Sequence, residues 1–313
     1  MAEKIATREA YGKALVELAD KYDYVVLDAD LAEATKTVMF KKACPDRFFD
    51  CGIAEGNMVS VAAGLAAAGK MAFASSFAMF AAGRAFEQVR NSICYPHLNV
   101  KIGATHGGIT VGEDGATHQC LEDIALMRTI PGMTVINPAD DIEAKAAVEA
   151  AMQTYGPFYM RFGRYAVPVI NNNPDYKFEL GKGVTLRDGS DVTIIASGIM
   201  VSIALEAAQL LEADGINARV INIHTIKPID RDIIVKAAEE TGAIVTAEEH
   251  NIIGALGSAV AEVLCEERPV PMLRVGVEDK FGKSGAVKPL LEEYGLTKEN
   301  IAEKAKKAIS LKK

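Results

Sequence analysis

Cysteine is sparse in this 313-residue chain. Cys44, Cys51, Cys94, Cys120 and Cys265 are scattered, odd in number and free of any C-x-x-C spacing. That pattern argues against a zinc ribbon or an iron–sulfur cluster and fits a reducing compartment, so a cytoplasmic location is expected. No window approaches the roughly eighteen continuous apolar residues of a membrane-spanning helix. The opening MAEKIATREAYG is mixed and charged, without the apolar core of a signal peptide. Basic runs are missing too. No more than two Lys or Arg stand together before the C-terminal helix, and the net charge is −8, which argues against a nucleic-acid partner. No G-x-G-x-x-G follows a strand-like run, which disfavours a plain dinucleotide-binding protein. Half of the residues are hydrophobic and 24% are charged, the balance of a globular protein long enough for two full α/β cores.

Short apolar runs alternate with amphipathic ones along the whole chain. Thr7 is a plausible N-cap for a helix reaching Ala19, with Ala10, Leu15 and Leu18 on its inner side. Strands are expected at Tyr24–Ala29, Met71–Ala74, Leu98–Ile102, Met133–Ile136 and Phe158–Phe162, with helices at Glu55–Gly69, Ser75–Arg90, Gln119–Ile130 and Asp140–Met152. Prolines, glycines and the NNNP turn mark 166–190 as a linker. The alternation restarts with strands at Val192–Ala196, Ala218–Ile223, Ile244–Glu248 and Met272–Val275, separated by helices. Such spacing predicts two doubly wound, parallel-sheet α/β domains, 1–165 and 191–313.

Chemistry concentrates between Gly103 and His118, GATHGGITVGEDGATH. Five glycines, His106, His118 and the Glu113–Asp114 pair fall on a loop after a strand, where open α/β sheets bind ligands. His106, Asp114 and His118 can exchange protons and hydrogen bonds with a hydroxylated substrate. The rivals are a solvated surface loop and a metal site; the loop is too glycine-rich to hold a stiff ligand cage. Asp30 ends a strand at the same expected edge. The run EGNMVSVAAGLAAAG carries no charge beyond Glu55. A helix without a polar face is buried on all sides, so a subunit-interface helix is expected. Burial would then disfavour the Glu55 charge and leave its proton easily shared; an ordinary first-turn glutamate is the alternative. Phe77 and Phe80, three apart on the expected helix, either pack the core or form a wall for a heteroaromatic ring. His224, at a strand end, and the group Glu248, Glu249 and His250 could each reach a ligand, but surface caps and turns are the favoured reading of both.

Three segments, in order, resemble thiamine-diphosphate enzymes and above all transketolases. They are DCGIAEGNM (Asp50–Met58), SSFAMF followed by RAFEQVR, and THGGITVGEDGATHQ (Thr105–Gln119). The last is specific to transketolases, whereas GIAE is shared with other thiamine enzymes. The resemblance spans nearly the whole chain and covers the pyrimidine-binding and C-terminal domains. It implies that Glu55 bonds the cofactor's pyrimidine nitrogen, that Phe77 and Phe80 stack on that ring, and that Asp30 is an acid near the cofactor. It implies that His106 and His118 serve catalysis and substrate binding, with His118 on the reacting carbonyl side. Asp114 would read a substrate hydroxyl, and Arg8 and Arg161 would hold a sugar phosphate.

Two departures matter. The third ring-stacking aromatic has no counterpart: Gly83 falls at its spacing, and the helix register shifts by one before Arg84. A phosphate-contacting serine falls at Ala34, with Thr35 or Lys36 as substitutes. The chain also has no GDG motif of the kind that holds the diphosphate through a metal. The expectation is therefore a split transketolase. A separate N-terminal-half subunit would supply the diphosphate site and a divalent metal, Mg or Ca, in an α2β2 assembly acting on phosphorylated sugars. The rivals are the β subunit of a 2-oxoacid dehydrogenase, half of a deoxyxylulose phosphate synthase, and a non-catalytic subunit that kept the fold.

Overall fold

The computed structural model describes residues 3–312. The first half runs β1 (Lys4–Ala6), α1 (Thr7–Glu17), β2 (Tyr24–Asp28), α2 (Ala32–Thr35), α3 (Val38–Ala43), β3 (Phe48–Asp50), α4 (Glu55–Ala67) and β4 (Met71–Phe77). A π-helical turn (Met79–Arg84), the short α5 (Phe86–Gln88) and a second π-helical stretch (Val89–Cys94) lead to β5 (Val100–Thr105). A 3-10 turn (Ile109–Asp114) comes next, then α6 (Asp123–Thr129), β6 (Thr134–Ile136), α7 (Asp141–Gln153), β7 (Phe158–Phe162) and β8 (Ala166–Pro168). The second half holds β9 (Val184–Arg187), β10 (Val192–Ala196), α8 (Met200–Ala213), β11 (Ala218–Asn222), β12 (Thr225–Lys227), α9 (Arg231–Thr241), β13 (Ile244–Asn251), α10 (Leu256–Glu267), β14 (Met272–Val277), α11 (Val287–Glu293) and α12 (Lys298–Ser310).

Apart from the separate β1–β8 pair, these strands make two doubly wound sheets. The first has the order β12-β6-β7-β5-β4-β2-β3, parallel except for β12. The second has the order β14-β13-β10-β11-β9, parallel except for β9. Helices cover both faces, which is why β2, β7 and β10 are buried along their whole length. Alternate residues of β2 feed different cores. Val25 and Leu27 join Met58 and Val59 of α4, whereas Tyr24 and Val26 join Leu15 and Phe73 on the other face.

Strand β12 leaves the second half of the chain and pairs antiparallel with β6, closing the edge of the first sheet. The segment 166–190 is not a bare tether. Strand β8 pairs with β1 at its start, and β9 pairs with β11 near its end.

Two local expectations change. Thr7 does not cap α1, whose N-cap is Ala6; its hydroxyl instead accepts from the Gly163 backbone at 2.7 Å. The expected helix at 75–90 is a strand first. Ser75, Ser76 and Phe77 stay in β4 because they pair with Gly103, Ala104 and Thr105 of β5. Beyond them the Ala85 amide reaches the Phe80 carbonyl, five residues back, at 3.2 Å. Such a π-turn absorbs one extra residue within a helix. Within this chain α4 buries one side. Met58, Val59, Ala62, Ala63 and Ala66 face the core, while Asn57, Ser60, Val61, Gly64 and Ala67 form an open stripe of small residues.

Candidate active site

Strands β7, β5, β4 and β2 are adjacent and parallel, so the loops leaving their carboxyl ends meet at a single sheet edge. Phe77 ends β4 and Phe80 lies in the π-turn. Their rings stack with centroids 5.8 Å apart and planes 10° apart. His106, directly after β5, stacks on Phe77 at 3.8 Å. His118 meets both phenylalanines edge-on, at 6.1 and 5.3 Å. The loop between the histidines thus folds back to put both against the aromatic wall.

His106 is buried, with a left-handed backbone at φ 59°. Its Nε2 lies 3.1 Å from Arg8 Nη1, and its Nδ1 lies 2.9 Å from Thr105 Oγ1. A guanidinium only donates, so Nε2 accepts and the ring proton sits on Nδ1. Burial, followed by the charges of Arg8 and Arg164, drives its pKa down to about 3, so the ring is neutral. His118 is half-buried, with Nδ1 2.9 Å from Thr117 Oγ1. Asp114 is exposed at the end of the 3-10 turn.

Glu55 sits at the start of α4, on the same edge, and is buried. A buried carboxylate is costly unless it is paired, and this one is paired. Arg84 Nη1 donates to it at 2.8 Å, and the guanidinium lies over the Phe80 ring at 4.6 Å. The one-residue register shift before Arg84 is the π-turn itself, which carries Arg84 into that position.

The loop after β2 is organised by Asp28. Its buried carboxylate accepts from the Leu31 amide at 2.6 Å, Thr35 Oγ1 at 2.7 Å and Thr37 Oγ1 at 2.8 Å. Burial raises its pKa, against those three bonds. Thr35 is therefore committed inward and cannot replace the serine missing at Ala34. Lys36 remains: it is half-buried, and its charge helps to depress His106. Asp30 is exposed at φ 62°, with its amide 3.2 Å from Asp50 Oδ1.

Arg161 departs from its expected role as a phosphate ligand. It lies inside β7, buried, with Nε on Asp123 Oδ2 at 2.8 Å and Nη2 on the carbonyls of Cys120 at 3.2 Å and Glu249 at 3.0 Å. A guanidinium so occupied has no fork to offer an anion. Arg164 lies three residues on, past the strand's end and half-buried. It bonds the Val111 carbonyl, and its charge lowers the pKa of both Arg8 and His106. Register held the signal: a residue in the middle of a fully buried strand faces the interior, while one beyond its carboxyl end faces the ligand edge.

The second polar group is interior, not surface. His224 stacks on Phe178 at 4.2 Å, and burial holds its pKa down to about 4. Glu248 accepts from the Leu256 and Gly257 amides, each at 2.8 Å, and burial pushes it up to about 7. Glu249 accepts from the Thr110 amide at 2.7 Å. His250 faces Asp123 at 3.8 Å, with burial holding its pKa down to about 4. Among the described residues, no group of three or more His, Cys, Asp or Glu is placed to hold a metal ion.

An aromatic wall, a buried carboxylate and a glycine-rich histidine loop on one parallel-sheet edge define a cofactor-dependent α/β enzyme domain. Residues 3–169 match the transketolase pyrimidine-binding domain, and residues 181–301 match the transketolase C-terminal domain. The chain belongs to the transketolase family. A Methanocaldococcus jannaschii protein, provisionally assigned as a transketolase C-terminal section, is 51% identical over 300 residues, covering 95% of this chain and 94% of its own. A 6-deoxy-6-sulfo-D-fructose transketolase subunit of Clostridium sp. (strain MSTE9) is 47% identical over 299 residues, covering 95% of this chain and 92% of its own. A split-gene transketolase solved as an inactive β4 tetramer superposes with a TM-score of 0.91 at 55% identity, covering 99% of this chain and 100% of that one. The chain thus corresponds to the C-terminal part of a transketolase, its pyrimidine-binding and C-terminal domains.

The family uses thiamine diphosphate. The donor set here suits its pyrimidine half: Phe77 and Phe80 form an aromatic wall, and Glu55 offers a buried acceptor beside it.

Proposed function

We propose that this chain is the C-terminal subunit of a thiamine-diphosphate-dependent transketolase that moves a two-carbon ketol unit from a ketose phosphate to an aldose phosphate. The observation that carries this reading is the cationic lip around neutral His106. Arg8, Lys36 and Arg164 all act on that ring, beside the aromatic wall. Guanidinium and ammonium groups are suited to a terminal phosphate. One relative is a subunit of a transketolase for a sulfonated ketose, so the anion on the sugar is the property to vary in an assay.

Thiamine diphosphate, when bound, supplies the carbon nucleophile and the electron sink. The chain's own residues do the rest. Phe77 and Phe80 would hold the pyrimidine by stacking, and Glu55 would bond its ring nitrogen, competing with Arg84 for the carboxylate. Asp30 lies at the rim of the same site. His118, with its Nδ1 held at Thr117, presents Nε2 to the sugar and moves the hydroxyl proton there. His106 donates nothing from Nε2; it fixes Arg8 and orients the sugar, while Asp114 bonds a substrate hydroxyl. The diphosphate and its divalent metal belong, on this reading, to a partner carrying the N-terminal half, and the open stripe of α4 is where subunits meet in an α2β2 assembly. Scattered free cysteines fit a cytoplasmic setting.

The test is ketol transfer from xylulose 5-phosphate to ribose 5-phosphate with magnesium and thiamine diphosphate, on this chain alone and with its partner. Transfer by the pair, and none by the chain alone, is expected. A monomer fully active by itself overturns the split reading. Pyruvate decarboxylation by the pair without ketol transfer favours a 2-oxoacid dehydrogenase subunit instead.

A further inference from the structure

The histidine loop does not hold its shape unaided. Four of its glycines, Gly107, Gly108, Gly112 and Gly115, give it little stiffness, and the last three take φ of 91°, 82° and 76°. Its supports come from the other domain. Glu249, in β13, sends its carboxylate to the Thr110 amide at 2.7 Å. A Cβ on Gly108 would lie 2.2 Å from Glu249 Oε1, so the glycine is needed for the carboxylate to enter. The Asn251 amide bonds the Leu121 carbonyl at 2.9 Å, and Arg161 ties Glu249 to Cys120 through their carbonyls. Thus β13 holds both stems of the loop. Its tip is held by the segment before α11: Lys283 O accepts from Gln119 Nε2 at 2.9 Å, and Ser284 Oγ donates to the Glu113 carbonyl at 2.5 Å.

Glu249 is buried, and a carboxylate there is costly unless it has work to do. Its neighbour Glu248 points to the opposite face of the strand and bonds only amides at the start of α10. Two adjacent buried glutamates therefore divide into one that stays within its own domain and one that reaches across.

We propose that Glu249 is a positioning residue of the substrate site: through it the C-terminal domain sets the spacing of His106, Asp114 and His118. This rests on the ketol-transfer reading for its kinetic consequence, but not for its structural one.

The experiment compares Glu249→Ala, Glu249→Gln and Glu248→Ala. Hydrogen exchange is measured on the free chain, and steady-state kinetics and thiamine diphosphate affinity on the reconstituted pair. Glu249→Ala should speed amide exchange across 108–119 and lower kcat/KM for the ketose by about ten- to a hundred-fold, the cost of a small misplacement, with cofactor affinity unchanged. Glu249→Gln keeps an acceptor for Thr110 and should recover most of both. Glu248→Ala should lower Tm and leave loop exchange alone. Ser284→Ala, a surface change that does not threaten folding, should loosen only 113–116. Unchanged exchange at 108–119 in Glu249→Ala, or equal loosening in Glu248→Ala, overturns the proposal. A loosened loop in Glu249→Ala alongside a wild-type pair that transfers no ketol unit leaves the brace standing and removes the function instead.

Discussion

Arg161 and Arg164 are three residues apart and do opposite work. Arg161 is half of a buried pair with Asp123, and deleting one partner of such a pair costs about 3–5 kcal/mol. Arg161→Ala should therefore lower the melting temperature sharply. Arg164→Ala should leave the melt nearly unchanged and raise KM for a phosphorylated ketose about tenfold or more, as expected when charge-assisted bonds are lost. Thermal denaturation and kinetics on the same two proteins separate the roles; the reverse pattern would restore Arg161 to the phosphate. At this scale the sequence was informative about residue type and weak about direction. Two histidines and a carboxylate among five glycines marked the loop, and the structure brings His106 and His118 to one aromatic wall. The expected strand ends at Phe162, where β7 does end, so MRFGR already put Arg161 inside it and Arg164 beyond; the direction of the side chains was the step not read. Likewise the partner of Glu55 lies 29 positions away on a π-turn.

Among the elements, β5 carries a packing constraint that can be tested. Gly103 lies under Tyr11, and a Cβ there would come within 2.2 Å of the phenolic oxygen, which is itself bonded to Ser75 Oγ at 2.7 Å. Gly103→Ala should destabilise the protein by about 1–3 kcal/mol, the usual cost of overpacking. A shift in the urea midpoint at constant slope would measure it, and no shift would mean that Tyr11 moves freely. Most elements were readable from hydrophobic period. The bounds of β7, β10 and α9 follow directly from FYMRF, VTIIA and the run from Arg231 to Thr241. The stretch 75–90 was not, because its alanines and Met79 favour helix over the whole run. Strand pairing with β5 decided the first three residues, and an i→i+5 bond leaves no mark in composition. Thr7 had the chemistry of a cap but found a better donor across the fold at Gly163.

For the molecule as a whole, the junction of the domains is polar and buried. Glu143 accepts from Tyr176, Asn222 and the Ala139 amide, and burial, stronger than those bonds, pushes its pKa up to about 7. The native state thus keeps a proton that the unfolded chain gives up near its ordinary 4.5. Its contribution is fully present below that value and is lost as pH rises through about 7. Glu143→Gln cannot titrate, so its Tm relative to wild type should climb between pH 4.5 and 7; a flat difference would place the carboxylate at an ordinary pKa. The two-domain outline was legible because strand–helix alternation restarts after 190. The crossing of β12 was not: three residues, TIK, carry too little pattern to announce which sheet they join.

That crossing bears on how such a protein can be taken apart. Residues 225–227 satisfy the open side of β6, and the His224 carbonyl accepts from the Asn137 amide at 2.8 Å just beside them. Released from everything beyond 190, the first unit would present β6 as a bare edge ready to pair with another copy of itself. Nor are the halves modules to be traded: a foreign C-terminal domain grafted on here would have to bring its own strand for β6 as well as a fold of its own.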